Sequence, residues 1–105
     1  MQPAKESRQH CRVARQFDAV AHLVEQPYAS EHTFWFGSVE IALDPGRWEE
    51  LAWQDVALEF ADGRVGEAYI PHTGTREVAG VKSLVLYYVG VTTLTAVPDS
   101  RGGNG

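Results

Sequence analysis

The amino-acid sequence predicts one α+β domain, in which an amphipathic N-terminal helix packs on a strongly curved, barrel-like antiparallel sheet of four to six strands. Near the N-terminus, apolar residues recur at helical spacing. Over the rest of the chain, runs rich in β-branched and aromatic residues alternate with turn residues, which favours strands. A chain of 105 residues, 44% hydrophobic and 22% charged, has room for a single core. We expect flexible tails at residues 1–4 and 98–105.

The predicted helix covers residues 5–26 and ends at Pro27, because the residue before a proline is pushed out of the α region. Its buried face is formed by apolar residues spaced by four, three and four positions: Val13, Phe17, Val20 and Val24. A second stripe, on another side of the helix, holds basic residues spaced by three, four and three: Lys5, Arg8, Arg12 and Arg15. This pattern is typical of a surface helix with one buried side.

The first predicted strand covers residues 33–43, with Gly37 as a bulge or bend. The tripeptide Asp44-Pro45-Gly46 then turns the chain. Residues 47–53 form either one helical turn, capped by Asp44, or an irregular corner. Both alternatives remain open at this point.

Residues 54–70 predict a β-hairpin that turns at Asp62-Gly63. A two-residue loop would place Glu67 among core side chains, which is costly for an unpaired carboxylate. A three-residue loop with Gly63 at positive φ separates the faces better. One face then holds the apolar set of Val56, Leu58, Phe60, Gly66, Ala68 and Ile70, and Arg64 lies at its end with its head group in water.

A loop at residues 71–80 and a long strand at residues 81–97, bent at Gly90, complete the predicted elements. The middle of that strand is apolar on both faces, which is typical of a strand covered on both sides. The helix would cover one face. The curled sheet itself or a partner subunit would cover the other.

The net charge of −5 is unevenly distributed. Residues 1–16 carry four basic groups and one acidic group, a net charge of +3, whereas residues 17–105 carry five basic and thirteen acidic groups, a net charge of −8. An acidic body repels phosphates, so we do not expect nucleic-acid binding.

The lone Cys11 excludes an internal disulfide, and the sequence shows neither a secretory signal nor a membrane-spanning run, so we expect a cytoplasmic protein.

The chain contains no motif that identifies a family, a catalytic group, a cofactor or a metal site. The four histidines lack the spacing of metal ligands, and Cys11 lacks a positioned base. Large rings are the main clue, because Phe34-Trp35-Phe36 on a strand sends rings to both faces. The candidate ligand-binding residues are Phe34, Trp35, Phe36, Glu40, Tyr69 and His72.

These observations favour a small binding or interaction domain that forms a homodimer or higher oligomer. An aromatic-lined pocket or interface would bind a small apolar molecule or a protein partner. One alternative is a small enzyme with a pocket containing Glu40 and His72. Another is a regulator that docks an anionic partner through the basic N-terminal helix.

Overall fold

The computed structural model describes residues 3–28, 32–42 and 51–96 and shows an all-β domain, so the predicted α+β class is wrong. Strands account for 78% of the described residues, and no helix occurs among them. The seven strands form one antiparallel sheet: β1 (Lys5–Val13), β2 (Phe17–Tyr28), β3 (His32–Ala42), β4 (Asp55–Phe60), β5 (Arg64–Val78), β6 (Val81–Gly90) and β7 (Thr95–Ala96).

The sheet closes into a six-stranded barrel. Its strand order is β4-β1-β2-β3-β6-β5-β7, and β4 pairs with β5 as well as with β1. The two-residue strand β7 lies beside the start of β5, where Arg64 pairs with Ala96. Because side chains alternate along each strand, every strand sends one set of residues into the barrel and the other to its outer face.

The predicted N-terminal helix is wrong, because residues 5–28 form the hairpin of β1 and β2. Cys11, Val13, Ala21 and Leu23 are fully buried inside the barrel, whereas Val20 is 51% exposed on the outer face. A spacing of four is even, so Val20 and Val24 share one face of a strand as readily as one face of a helix. The spacing of three between Phe17 and Val20 is odd and places them on opposite faces of β2, so only the spacings of four suited both structures.

The β1–β2 turn explains why this hairpin was not predicted. Ala14 and Arg15 both have positive φ, at 54° and 60°, and the Gln16 N–H donates to the Val13 carbonyl over 3.0 Å. Such a turn normally carries Asn or Gly. Here it is built from residues that favour helices, so the usual sequence signal for a turn is missing.

The predicted hairpin of residues 54–70 is confirmed. Leu58 pairs with Gly66, Gly63 has a φ of 95°, and its N–H donates to the Phe60 carbonyl over 2.9 Å. Of the predicted inward residues, all but the partly buried Gly66 are buried: Val56, Leu58, Phe60, Ala68 and Ile70. The three-residue loop is therefore the observed one.

The predicted loop at residues 71–80 is wrong, because β5 continues to Val78 and turns through Ala79-Gly80 into β6. The pairing register of β5 with β6 shifts between Tyr69 and His72, next to Pro71. A proline is tolerated in a strand at such an irregularity, where no ladder hydrogen bond is required of it. The long C-terminal strand is divided into β6 and β7 by residues 91–94.

Three glycines make room for large rings inside the barrel. A Cβ at Gly66 would lie 2.7 Å from the indole of Trp35, and one at Gly90 would collide with the same ring. Gly37 lets the Tyr88 hydroxyl donate to the His22 carbonyl over 2.9 Å. The register is unbroken at Gly37, so the predicted bulge is absent there.

Some predictions fall on residues that the structure does not describe. The turn at Asp44-Pro45-Gly46 and the C-terminal tail 98–105 lie outside the described residues, as does most of the segment 47–53.

Candidate binding surfaces

Large apolar side chains cluster on the outside of the barrel, on strands β3, β6 and β5. Phe36 pairs with Val89, and Val89 pairs with Tyr69, so these three form one row across the sheet. Phe34 precedes this row on β3, and Tyr87 follows it on β6. We call the set Phe34, Phe36, Tyr69, Tyr87 and Val89 the outer aromatic face, and its members are between 37% and 53% exposed.

A polar border lies along one side of the outer aromatic face. Arg8, His22, Ser38, Tyr87 and His72 form the next row across the barrel, by direct pairing of adjacent strands. The His72 and Tyr87 rings lie 5.4 Å apart at 33°.

Charged groups on this border are mostly paired. His22 Nε2 lies 2.9 Å from Glu6 Oε1. Glu40 accepts a 2.7 Å hydrogen bond from the Ser83 hydroxyl and lies 3.5 Å from Arg76. Within the described residues, the guanidinium of Arg8 makes no hydrogen bond or ion pair. A cleft of about 290 Å³ runs between Arg8 and Arg76.

A second candidate site lies at the end of the barrel where β3 begins and β6 ends. We call this cavity of about 450 Å³ the mouth cavity. Its lining combines apolar, hydroxyl and charged groups: Glu25, His32, Thr33, Phe34, Trp35, Arg64, Gly90, Val91, Thr92, Thr93 and Leu94.

An ion pair forms part of the mouth cavity. Arg64 donates from Nη1 and Nη2 to the two oxygens of Glu25, over 2.7 and 2.9 Å, and its Nε and Nη2 also reach Asp62. The hydrogen bond from Arg64 lowers the pKa of the Glu25 carboxyl, and Arg64 likewise lowers the pKa of Asp62. The two carboxylates raise the pKa of Arg64. These groups are therefore fixed in their charged forms.

The residues that follow β6 support the wall of the mouth cavity. The indole N–H of Trp35 donates to the Thr92 carbonyl over 2.7 Å, and the Thr92 hydroxyl accepts from the Glu67 N–H over 2.9 Å. Trp35 itself is only 4% exposed and packs against Phe60 and Tyr88. Its indole is thus a rigid part of the core.

The structure distributes the six predicted site residues over two places. Phe34, Phe36 and Tyr69 lie on the outer aromatic face, and Phe34 also borders the mouth cavity together with Trp35. Glu40 and His72 lie two strands apart on the outer face, and no described contact joins them. They do not form one pocket.

Other residues at these sites were missed as ligand-binding candidates, among them Glu25, Thr33, Arg64, Tyr87, Val89, Thr93 and Leu94. Tyr87 and Val89 are alternate residues of β6. They would have been identified as candidates if the sequence had shown which face of β6 is the outer one. No pattern in the sequence marks Thr93. It lies between β6 and β7, and its position depends on where the pairing of β6 with β5 ends.

The described residues hold no group of three or more His, Cys, Asp or Glu side chains arranged to bind a metal ion. Cys11 is buried, and burial raises the pKa of its thiol to about 12, so the thiol stays protonated at neutral pH. Nor does the described part include a helix with the length and apolar character needed to cross a membrane.

Comparison with known proteins leaves the chain unassigned: no family model, no curated protein and no solved structure matches it. The candidate sites rest on their own geometry.

Proposed function

We propose that this chain is a non-catalytic interaction domain that binds a second copy of itself through the outer aromatic face. One observation carries the proposal: five large apolar side chains stand together on the outside of a barrel whose interior holds a separate hydrophobic core. An exposed apolar patch of a few hundred Å² is often functional, and aromatic residues are enriched at the centres of interfaces.

The size of this surface fits the centre of an interface. An aromatic side chain can bury 150–250 Å², so the four rings and Val89, which are 37–53% exposed, contribute roughly 300–500 Å². A stable interface buries about 800 Å² on each partner. The polar border would supply the remainder, which gives the usual arrangement of apolar centre and polar rim.

The charges of the border favour a second copy over a strongly charged partner. Glu6 and Arg8 are two residues apart on β1 and point to the same side, and Glu40 and Arg76 lie on the other side of the cleft. A rim with one sign of charge would repel its own copy. A rim with both signs permits reciprocal pairing across a two-fold axis.

The alternative functions have weaker support. An enzyme that used Glu40 with His72 would need contact between residues that lie two strands apart. A regulator that docked through a basic helix would need a helix where β1 and β2 form a hairpin. The mouth cavity carries an ion pair and hydroxyl groups, which is a poor match for an apolar ligand.

We expect the protein to be a dimer of about 23 kDa by light scattering at about 100 μM, twice the chain mass of 11.6 kDa. Phe36→Ser should weaken self-association at least about tenfold, because central aromatic residues carry much of the energy of an interface.

Val81→Ser provides a matched control. Val81 is 66% exposed at the far end of the β5–β6 hairpin, away from the outer aromatic face, so its change should leave the dimer intact. A monomeric protein at this concentration would refute the proposal. A dimer that Phe36→Ser leaves unchanged would place the interface elsewhere.

A further inference from the structure

We propose that the mouth cavity binds a neutral, polyhydroxylated small molecule, of the size and chemistry of a monosaccharide. The cavity of about 450 Å³ lies within the range of small-molecule sites, which occur often at the mouths of β-barrels. The mouth cavity shares Phe34 with the outer aromatic face, whereas Phe36, Tyr69, Tyr87 and Val89 do not line the cavity. A change at Phe36 therefore distinguishes ligand binding from self-association.

The Glu25–Arg64 ion pair in the wall of the cavity favours a neutral ligand. The carboxylate of Glu25 and the guanidinium of Arg64 neutralise each other across two short hydrogen bonds. Asp62 adds a negative charge beside them, which disfavours an anion. A cation would have to compete with Arg64 for Glu25. Within the Glu25–Arg64 pair, neither the carboxylate nor the guanidinium is left without an oppositely charged partner.

The same ion pair can hydrogen-bond hydroxyl groups. Arg64 has five N–H donors, of which four are used by Glu25 and Asp62, so one Nη1–H has no acceptor in the described part of the chain. Each Glu25 oxygen accepts one bond from Arg64 and keeps a further lone pair. A hydroxyl group, which both donates and accepts, matches this rigid pair of a donor and an acceptor.

The remaining walls fit the two kinds of surface that a sugar ring presents. The hydroxyls of Thr33 and Thr93 make no hydrogen bond within the described residues and are free to bind ligand hydroxyls. The ring of Phe34 and the side chain of Leu94 offer apolar surface to the C–H groups of the ring. Hydroxyl donors and an apolar wall therefore meet in one cavity.

The test is a titration followed by the indole N–H signal of Trp35 in two-dimensional NMR, with D-glucose, D-galactose and myo-inositol as neutral probes. D-glucuronate and D-glucosamine are the charged probes. We expect saturable shifts with at least one neutral probe, at a dissociation constant of about 1 mM, and at least tenfold weaker binding of both charged probes.

Thr33→Val and Thr93→Val should each weaken binding about fivefold, the factor for one neutral hydrogen bond. Thr75→Val, on β5 outside the mouth cavity, is the matched control and should bind normally. Phe36→Ser should also bind normally, which separates this site from the dimer interface. The proposal would be overturned if none of the three neutral probes gave saturable shifts, or if a charged probe bound more tightly than they do. It would also be overturned if both threonine variants bound as tightly as the wild type.

Discussion

At the scale of the single residue, Arg64 joins distant parts of the barrel. Its guanidinium connects Glu25 on β2 with Asp62 in the β4–β5 turn, 39 and 2 residues away in sequence. The side chains of Glu25 and Arg64 are only 14% and 28% exposed, so solvent screens this ion pair less than it screens an ordinary surface pair. Arg64 therefore stabilises the end of the barrel as well as forming the mouth cavity.

This contact predicts a pH-dependent contribution to stability. Arg64 holds the pKa of Glu25 below its unfolded value of about 4.3, so the stabilisation is fully present above that pH and is lost as the pH falls through the folded pKa. Glu25→Gln should lower the free energy of unfolding by about 1–3 kcal/mol at pH 7. The difference from the wild type should shrink below about pH 4.

Urea denaturation at several pH values measures both effects. Glu67→Gln is the matched control, because the side chain of Glu67 is exposed and makes no described hydrogen bond or ion pair. A stability difference for Glu25→Gln that persisted unchanged at pH 2 would show that the ion pair is not its cause.

At the scale of the element, the two N-terminal strands depend on a strained turn. Ala14 and Arg15 adopt the left-handed conformation, which costs a residue with a Cβ about 1–2 kcal/mol relative to glycine. Pairing of β1 with β2 over nine residue pairs offsets this cost. The hairpin is thus held by its long-range ladder and its buried side chains rather than by its turn.

Arg15→Gly should therefore stabilise the protein, by about 0.5–1 kcal/mol after allowance for the greater freedom of glycine in the unfolded chain. Thermal denaturation measures the change. Gln16→Gly is the control: Gln16 does not have positive φ, so glycine there should destabilise. Destabilisation by Arg15→Gly to the same extent as by Gln16→Gly would contradict the turn geometry.

At the scale of the whole molecule, the basic residues near the N-terminus do not form a continuous basic surface. On the outer face of β1, Glu6 lies next to Arg8, and His10 separates Arg8 from Arg12. Arg12 lies 3.8 Å from Asp18. Lys5 lies on the opposite face of β1 from Arg8 and Arg12, because side chains alternate along a strand. With a net charge of −5, the whole chain opposes a polyanion.

We expect affinity for a 20-nucleotide single-stranded DNA no tighter than about 10⁻⁴ M at physiological salt, measured by fluorescence anisotropy. The double variant Glu6→Lys/Asp18→Lys, which makes this face basic, should bind more tightly and serves as the positive control. Micromolar binding by the wild type that is lost in Arg8→Ala/Arg12→Ala would contradict the expectation.

The sequence by itself determined the hairpin of β4 and β5, because Asp62-Gly63 lies between two alternating runs and the polar residues favour the three-residue loop that is observed. It also predicted a strand at residues 33–43, close to the observed His32–Ala42, and identified Phe34-Trp35-Phe36 as a segment with rings on both faces. In these segments, local turn chemistry and alternation agree.

Only the tertiary structure decided the remainder. Residues 5–28 carry spacings that suit a helix or a strand, and the choice was made by pairing with β3 and β4 in a closed ring. The outer aromatic face depends on which side of β6 faces the core. The mouth cavity brings together Glu25, Arg64 and Thr93, which come from three distant parts of the chain. Closure of the barrel sets the distances between them, so no local sequence pattern specifies this site.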